Sequence, residues 1–285
     1  MGEADNFSGT VATALRRMRP NLSKAELKVA AALLSNYPIA GMATIATIAH
    51  SAGVSEPTVS RLVAKLGFDG FASFRRALAQ EVTQRLLPPT RIEPYAKEGS
   101  TLSQIASAMA EEMMKSMVAV DEADFSEAVG LLCDETKRIF ILGGRVTATL
   151  AKHLAWSLEV LRPGILYVGE ATGERVNRLL DVVAGDLVVA FDFRRYQMDT
   201  VKFVERASLQ GADSIVFTDP FISSAAGYAR VVFHASVGGP SQFTSLVPTL
   251  AIVETLVRRV ADRLSDNGRS RMERYVENSS LFNEQ

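Results

Sequence analysis

Apolar positions recur at two different periods along this chain, and the change of period divides it. Through residues 8–85 they are spaced by three and four, as one face of a helix requires. Leu27, Ala30, Ala31 and Leu34 form one such stripe. It is preceded by Ser23-Lys24-Ala25-Glu26, a capping box in which the serine hydroxyl and the glutamate satisfy each other's backbone amides. Pro38 helps to stop that helix. Ile45, Ile48 and Ala49 make a second stripe, and Val59, Leu62, Val63 and Leu66 a third. A further helix is predicted from Phe71 to Leu86, ending before Pro88-Pro89. Residues 87–100, with Pro88, Pro89, Pro94 and Gly99, read as a linker. Ile105, Met109, Met113 and Met117 then mark a helix over 101–120 whose thioethers suit core packing.

From about residue 137 the pattern becomes short apolar runs: Arg138–Leu142, Ile165–Val168, Leu187–Phe191, Ser214–Thr218 and Val231–His234. Helical patterns over 147–161, 174–182, 200–210 and 222–229 separate them, and a last one covers 245–264. Strands alternating with helices predict a parallel sheet covered on both faces. The fold class expected is therefore an all-α N-terminal domain plus an α/β C-terminal domain. The expected boundaries are 8–86 for the helical domain, 87–129 for the linker and connecting helix, 130–267 for the α/β domain and 268–285 for a C-terminal tail.

The helical domain carries a local signature. In TIATIAHSAGVSEPTVSRLVAKL, residues 44–66, small Ala49 permits a close helix crossing. Gly53 supplies a turn with positive φ. Val54 plugs that turn, Ser55 is placed to N-cap the next helix, and Pro57 stands in its first turn. This spacing is that of a helix-turn-helix, whose second helix enters the DNA major groove by its N-terminal end. Thr58, Ser60 and Arg61 are the candidates for base edges, Lys65, Arg75 and Arg76 suit phosphate, and Ser55 is a further candidate for DNA contact. Ser55 is a cap first. Charge agrees in direction: residues 1–85 hold 10 Lys/Arg against 6 Asp/Glu, +4, while the rest holds 21 against 26, −5, for −1 overall.

Composition excludes other classes. The chain is 47% hydrophobic over 285 residues, enough for two cores, yet no run approaches a membrane span. The acidic N-terminus lacks a secretory h-region. A single cysteine, Cys133, removes disulfides and cysteine metal clusters, and a cytoplasmic setting is expected. His50, His153 and His234 are scattered, without metal-ligand spacing. Trp156 reads as core. Glu254, on an apolar helix, is expected to meet an arginine across a subunit contact. Ser241 and Ser245 are expected to cap the last helix.

The helix-turn-helix is followed by Leu66-Gly67-Phe68-Asp69-Gly70-Phe71-Ala72-Ser73-Phe74-Arg75. With that segment, residues 8–85 resemble the N-terminal domain of the RpiR family of transcription regulators. Residues 130–267 resemble the sugar isomerase (SIS) domain those regulators carry. The resemblance implies a G-x-G-x-S loop after the first strand; here it reads Gly143-Gly144-Arg145-Val146-Thr147, with Arg145 in place of the second glycine. It also implies an S-x-S-G-x-T segment after the third strand, where hydroxyls and amides grip a sugar phosphate. Here that segment reads Asp192-Phe193-Arg194-Arg195-Tyr196-Gln197, so the family's cradle is not carried over intact. The candidate ligand residues are Gly143, Thr147, Asp192, Arg194, Arg195 and Gln197, at strand ends where open α/β sheets bind ligands. Two readings of the Asp–Arg cluster stand: an anion site, or a structural network at a loop or subunit contact.

The function expected is a regulator, not an enzyme, that binds double-stranded operator DNA as a homodimer or homotetramer and needs no cofactor. A small anionic metabolite, sugar phosphate or carboxylate, modulates it, and the two guanidiniums favour a carboxylate. Two alternatives compete: a sugar-phosphate isomerase or related enzyme on the same fold, and a DNA-binding protein whose α/β domain only oligomerises.

Overall fold

The computed structural model describes residues 10–18, 21–35, 37–86, 99–194, 196–240 and 243–283. The linker prolines, Arg195 and Ser241 lie outside these residues.

Among the described residues, five α-helices and a 3₁₀ turn over Ile39–Met42 build the N-terminal unit: α1 (Val11–Arg17), α2 (Lys24–Ser35), α3 (Ile45–Ala52), α4 (Glu56–Lys65) and α5 (Phe71–Leu86). Val59, Leu62 and Val63 of α4 are all but fully buried, together with Leu33, Ile48, Ala49, Phe74 and Leu78. The capping box forms as expected: the Ser23 amide donates to Glu26 Oε2 at 2.8 Å and the Glu26 amide to Ser23 Oγ at 3.3 Å. The buried stripe of α2 is Glu26, Val29, Ala30 and Leu33, with Ala31 exposed and Leu27 and Leu34 half-buried. The helix is turned by about one residue from the predicted stripe because it packs against α3 and α4 together. After Gly67, at φ 88°, the rings of Phe68 and Phe71 meet Phe74 with centroids 5.5 and 5.8 Å apart and anchor the start of α5.

α6 (Leu102–Val118) follows, then α7 (Glu122–Cys133), a helix the sequence reading did not place. Asp121 caps α7 through the amides of Ala123 and Asp124. Five parallel strands, β1 (Ile139–Gly143), β2 (Ile165–Val168), β3 (Leu187–Phe191), β4 (Asp213–Thr218) and β5 (Val231–His234), lie in the order β2-β1-β3-β4-β5. α8 (Ala148–Leu161), α9 (Thr172–Asp181) and α10 (Met198–Leu209) connect the first four, and a 3₁₀ turn over Ser224–Tyr228 stands where a helix over 222–229 was expected. Alternation along the strands sorts the two cores. Ile139, Ile141, Leu187, Val189, Phe191, Ile215 and Phe217 face α7, α8 and α11 (Val247–Asn283). Phe140, Leu142, Val188, Ala190 and Val216 face α9, α10 and the 3₁₀ turn. Both faces are covered, which is why the strands read as continuous apolar runs.

Three further expectations are corrected. α11 runs to Asn283, interrupted at Ser265 (φ 32°), so most of the expected tail is helical. Trp156 is 57% exposed on α8 and not core, because α8 turns Leu154, Ala155 and Leu158 to the sheet. Glu254 pairs within the chain with His153, Nε2 to Oε1 at 2.7 Å, and needs no arginine. Ser245 does serve the start of α11, accepting from the Val247 amide at 3.4 Å.

Candidate functional site

Two sites follow from this frame. The first is α4 and its supports. Gly53 adopts φ 62° and ψ 43° at the end of α3, a left-handed conformation that costs other residues energy. Its amide donates to His50 O at 3.1 Å, and the Val54 amide to Ala49 O at 3.0 Å. The turn thus sets α4 against α3 through Ala49 and Val59, both buried. Ser60, Arg61 and Lys65 are exposed on α4, and Arg75 and Arg76 on α5. Thr58 is 5% exposed, turned inward, and its hydroxyl lies 3.1 Å from Ser55 Oγ. Ser55 precedes α4 but makes no side-chain cap bond to it; the Thr58 amide is taken instead by the Ser55 carbonyl at 2.9 Å. Arg61 folds along its own helix, Nη2 to Thr58 Oγ1 at 3.3 Å and Nε to the Pro57 carbonyl at 3.4 Å. Lys65 Nζ lies 2.9 Å from Glu26 Oε2. That ammonium, with the Ser23 amide, holds the Glu26 carboxyl at about 2, well below the usual carboxylate range.

The second site lies where strand order reverses, between β1 and β3, the crevice in which such sheets receive ligands. Gly143, Thr147, Asp192 and Gln197 converge there. Thr147 Oγ1 donates to Phe191 O at 2.8 Å and accepts from the Gly144 amide at 2.8 Å, bracing the loop against β3. A Cβ on Gly143 would stand 2.6 Å from Thr147 O, so only glycine closes this loop. Gln197 Oε1 accepts from the Arg145 amide at 2.7 Å, and the Gln197 amide donates to Asp192 Oδ1 at 3.0 Å. Asp192, 1% exposed, also accepts from Ser223 Oγ.

Arg194 turns to β4. Its amide donates to Asp219 Oδ2 at 2.7 Å, its Nε lies 3.8 Å from the same oxygen, and its guanidinium stacks on Phe221 at 4.2 Å. Asp219 also accepts from Tyr196 OH and the Phe221 amide, both at 2.8 Å. Burial pushes the Asp219 carboxyl up, against the pull of Arg194 and these donors. Arg175 is the residue sequence reasoning missed. Only 3% exposed, it donates from Nη2 to Gly143 O at 2.6 Å, from Nη1 to Thr200 Oγ1 at 3.0 Å and from Nε to Gly169 O at 3.2 Å, and it pairs with Asp199 at 2.9 Å. It therefore joins the ends of β1 and β2 to the start of α10. Asp219 and Ser223 follow the end of β4, and their position there is the one signal that could have found them. Among the described residues no three His, Cys, Asp or Glu are grouped to hold a metal ion, and no helix is long and apolar enough to cross a membrane.

Comparison with known proteins joins the two sites. Residues 9–85 match the helix-turn-helix domain of the rpiR family, and residues 132–259 match the SIS domain. The chain belongs to the RpiR family. Among its relatives is the HTH-type transcriptional regulator HexR of Pseudomonas aeruginosa, 28% identical over 210 residues and 69% of each chain. An uncharacterized HTH-type regulator of Haemophilus influenzae is 24% identical over 236 residues, 79% of each. In fold, the chain is similar to the sugar isomerase domain of an RpiR transcription factor from Sphaerobacter thermophilus. That match has TM-score 0.56 and 23% identity, and covers 61% of this chain and 97% of that one. The NanR protein of Vibrio vulnificus, complexed with ManNAc-6P, aligns over 94% of this chain and 98% of its own, with TM-score 0.54 and 19% identity. This RpiR chain is thus a DNA-binding regulator with a SIS domain.

Proposed function

We propose that this protein controls transcription by binding operator DNA through α4 and that a small anionic metabolite, bound at the β1/β3 crevice, changes that binding. The domains of this reading are 8–86, 87–129, 130–267 and 268–285. The observation that carries it is the pairing of an exposed, turn-braced recognition helix with a tight glycine loop at the switch point of the sheet. Ser60 and Arg61 reach base edges and Arg75 meets phosphate, while Lys65 lies on the same face with its ammonium paired to Glu26. Ser55 and Thr58 serve the DNA face by bracing the N-terminal end of α4, and Arg61 swings off Thr58 to read a base. In the crevice, Gly143 and Thr147 shape the loop, Asp192 and Gln197 set its polar wall, and Arg194 with Arg195 supplies positive charge. Arg194 is partly committed to Asp219, which lowers its share of ligand recognition below that of a free guanidinium. Phosphate and carboxylate ligands both fit this chemistry, and the sugar phosphate held by NanR supports the former. The protein is a cytoplasmic homodimer or homotetramer, as paired half-sites require, and not an enzyme. The relatives, named as transcription regulators, support that last point.

Calorimetric titration of the full chain with sugar phosphates and with di- and tricarboxylates tests the ligand class, and light scattering tests assembly. Saturable binding of one class, and a mass at least twice 30.9 kDa, are expected. No binding of either class would leave the SIS domain an assembly module only.

A further inference from the structure

Lys65 stands in the last turn of α4, on the face assigned to DNA, with 44% of its side chain exposed. Its ammonium does not point freely to solvent. It meets Glu26 Oε2 at 2.9 Å, and the same oxygen accepts from the Ser23 amide at 2.8 Å. Glu26 belongs to another helix, stands in the first turn of α2, and has a side chain only 6% exposed. A fixed carboxylate thus offers Lys65 the kind of oxygen that a DNA phosphate offers.

We infer that Glu26 is an intramolecular stand-in for phosphate that withholds the charge of Lys65 from DNA and so favours specific over non-specific binding. The inference rests on the placement of Lys65 at the DNA face. A cation neutralised by its own protein displaces no counterion from the duplex, and phosphate contacts carry no sequence information. Holding Lys65 also keeps the C-terminal end of α4 in register on α2, so that Ser60 and Arg61 meet the groove at a defined angle. Glu26 is in this sense a positioning residue.

Glu26→Gln separates its two tasks. Glutamine at this position still completes the capping box, so α2 is retained while the negative charge is lost. The measurement is the affinity of the full chain for a random-sequence DNA duplex across a range of salt concentrations. The log–log slope of E26Q is expected to steepen by about 0.9, the value of one added phosphate contact on B-DNA. Affinity for that duplex should rise several-fold. K65A alone should leave the slope unchanged, and E26Q/K65A should lose the gain. An unchanged slope in E26Q, or a gain that survives in the double variant, would overturn the inference. A K65A variant that flattens the slope while E26Q has no effect would also overturn it, yet would uphold Lys65 as a phosphate contact. No effect from either variant would remove Lys65 from the DNA face and the inference with it.

Discussion

Replacing Arg175 with methionine keeps the length of the side chain and removes its buried guanidinium from between the ends of β1 and β2 and the start of α10. Three hydrogen bonds disappear, to Gly143 O, Gly169 O and Thr200 Oγ1, at 2.6, 3.2 and 3.0 Å. Arg175 is 3% exposed, so water replaces these contacts poorly. A buried polar group left unpaired costs about 1–3 kcal/mol. Three such groups at strand and helix ends, partly relaxed, bring the loss to about 3–5 kcal/mol. The ion pair to Asp199 adds little, because that side chain is 39% exposed and screened. The loss is a large share of the roughly 5–15 kcal/mol that holds a domain together. Trp156, the only tryptophan, lies on α8 beside the sheet and reports this domain alone. Urea unfolding of the full chain, followed by its fluorescence, should show a midpoint lowered at nearly constant slope. Arg175→Lys should fall close to the methionine variant, because one ammonium cannot serve partners on three elements. A loss below about 1 kcal/mol for the methionine variant would refute the claim that Arg175 holds the crevice together.

Arg61→Ala should weaken operator binding by about 1–3 kcal/mol and relax one base position while leaving the melting curve in place; unchanged base preference in a binding titration would remove Arg61 from the readout. Gly143→Ala forces a Cβ against Thr147 O at 2.6 Å, so calorimetry should show ligand binding lost and the α/β domain destabilised by about 1–3 kcal/mol; wild-type affinity would show that the loop tolerates displacement. Glu26, held at about 2 against its usual 4.5, contributes stability that is present above pH 4.5 and is lost as pH falls toward 2. Circular dichroism melts should show that loss in the wild type and not in E26Q. Glu81 behaves in the opposite sense: burial raises its carboxyl, so its stabilising part is full below pH 4.5 and lost as pH rises through its folded value. Glu81→Gln keeps an acceptor for the Val11 amide, and its stability relative to wild type should therefore increase from pH 4.5 to 7.5; a difference flat in pH would count against a buried charge there.

The helical domain was legible because its determinants are local. Gly53, the Ser23–Glu26 box and the Val59, Leu62, Val63 face each act within a few residues, and each appears where the sequence placed it. The strands were legible because both faces are covered, which leaves unbroken apolar runs. α7 was within reach: Phe125, Ala128, Val129 and Leu132 follow helical spacing after the Asp121 cap. Arg175 was not within reach. Its helix offers Val176, Leu179 and Leu180 as the evident apolar positions, and two of its partners lie 25 and 32 residues away, which only the crossover topology brings together. The pairing of Arg194 with Asp219 was out of reach for the same reason, since that carboxylate follows the next strand. Thr58 looked like an outward residue of α4, yet it is buried and its hydroxyl meets Ser55.

The most direct test is a binding titration with labelled DNA. A duplex enriched from a random library by the full chain is compared with a shuffled duplex at one salt concentration, with and without the anion that calorimetry selects. The account predicts that the enriched duplex binds at least about 10³-fold tighter than the shuffled one. It also predicts that the anion shifts the first affinity by about 5–150-fold while the second barely moves. Equal affinity for both duplexes, or an operator affinity indifferent to every anion that binds the SIS domain, would contradict it.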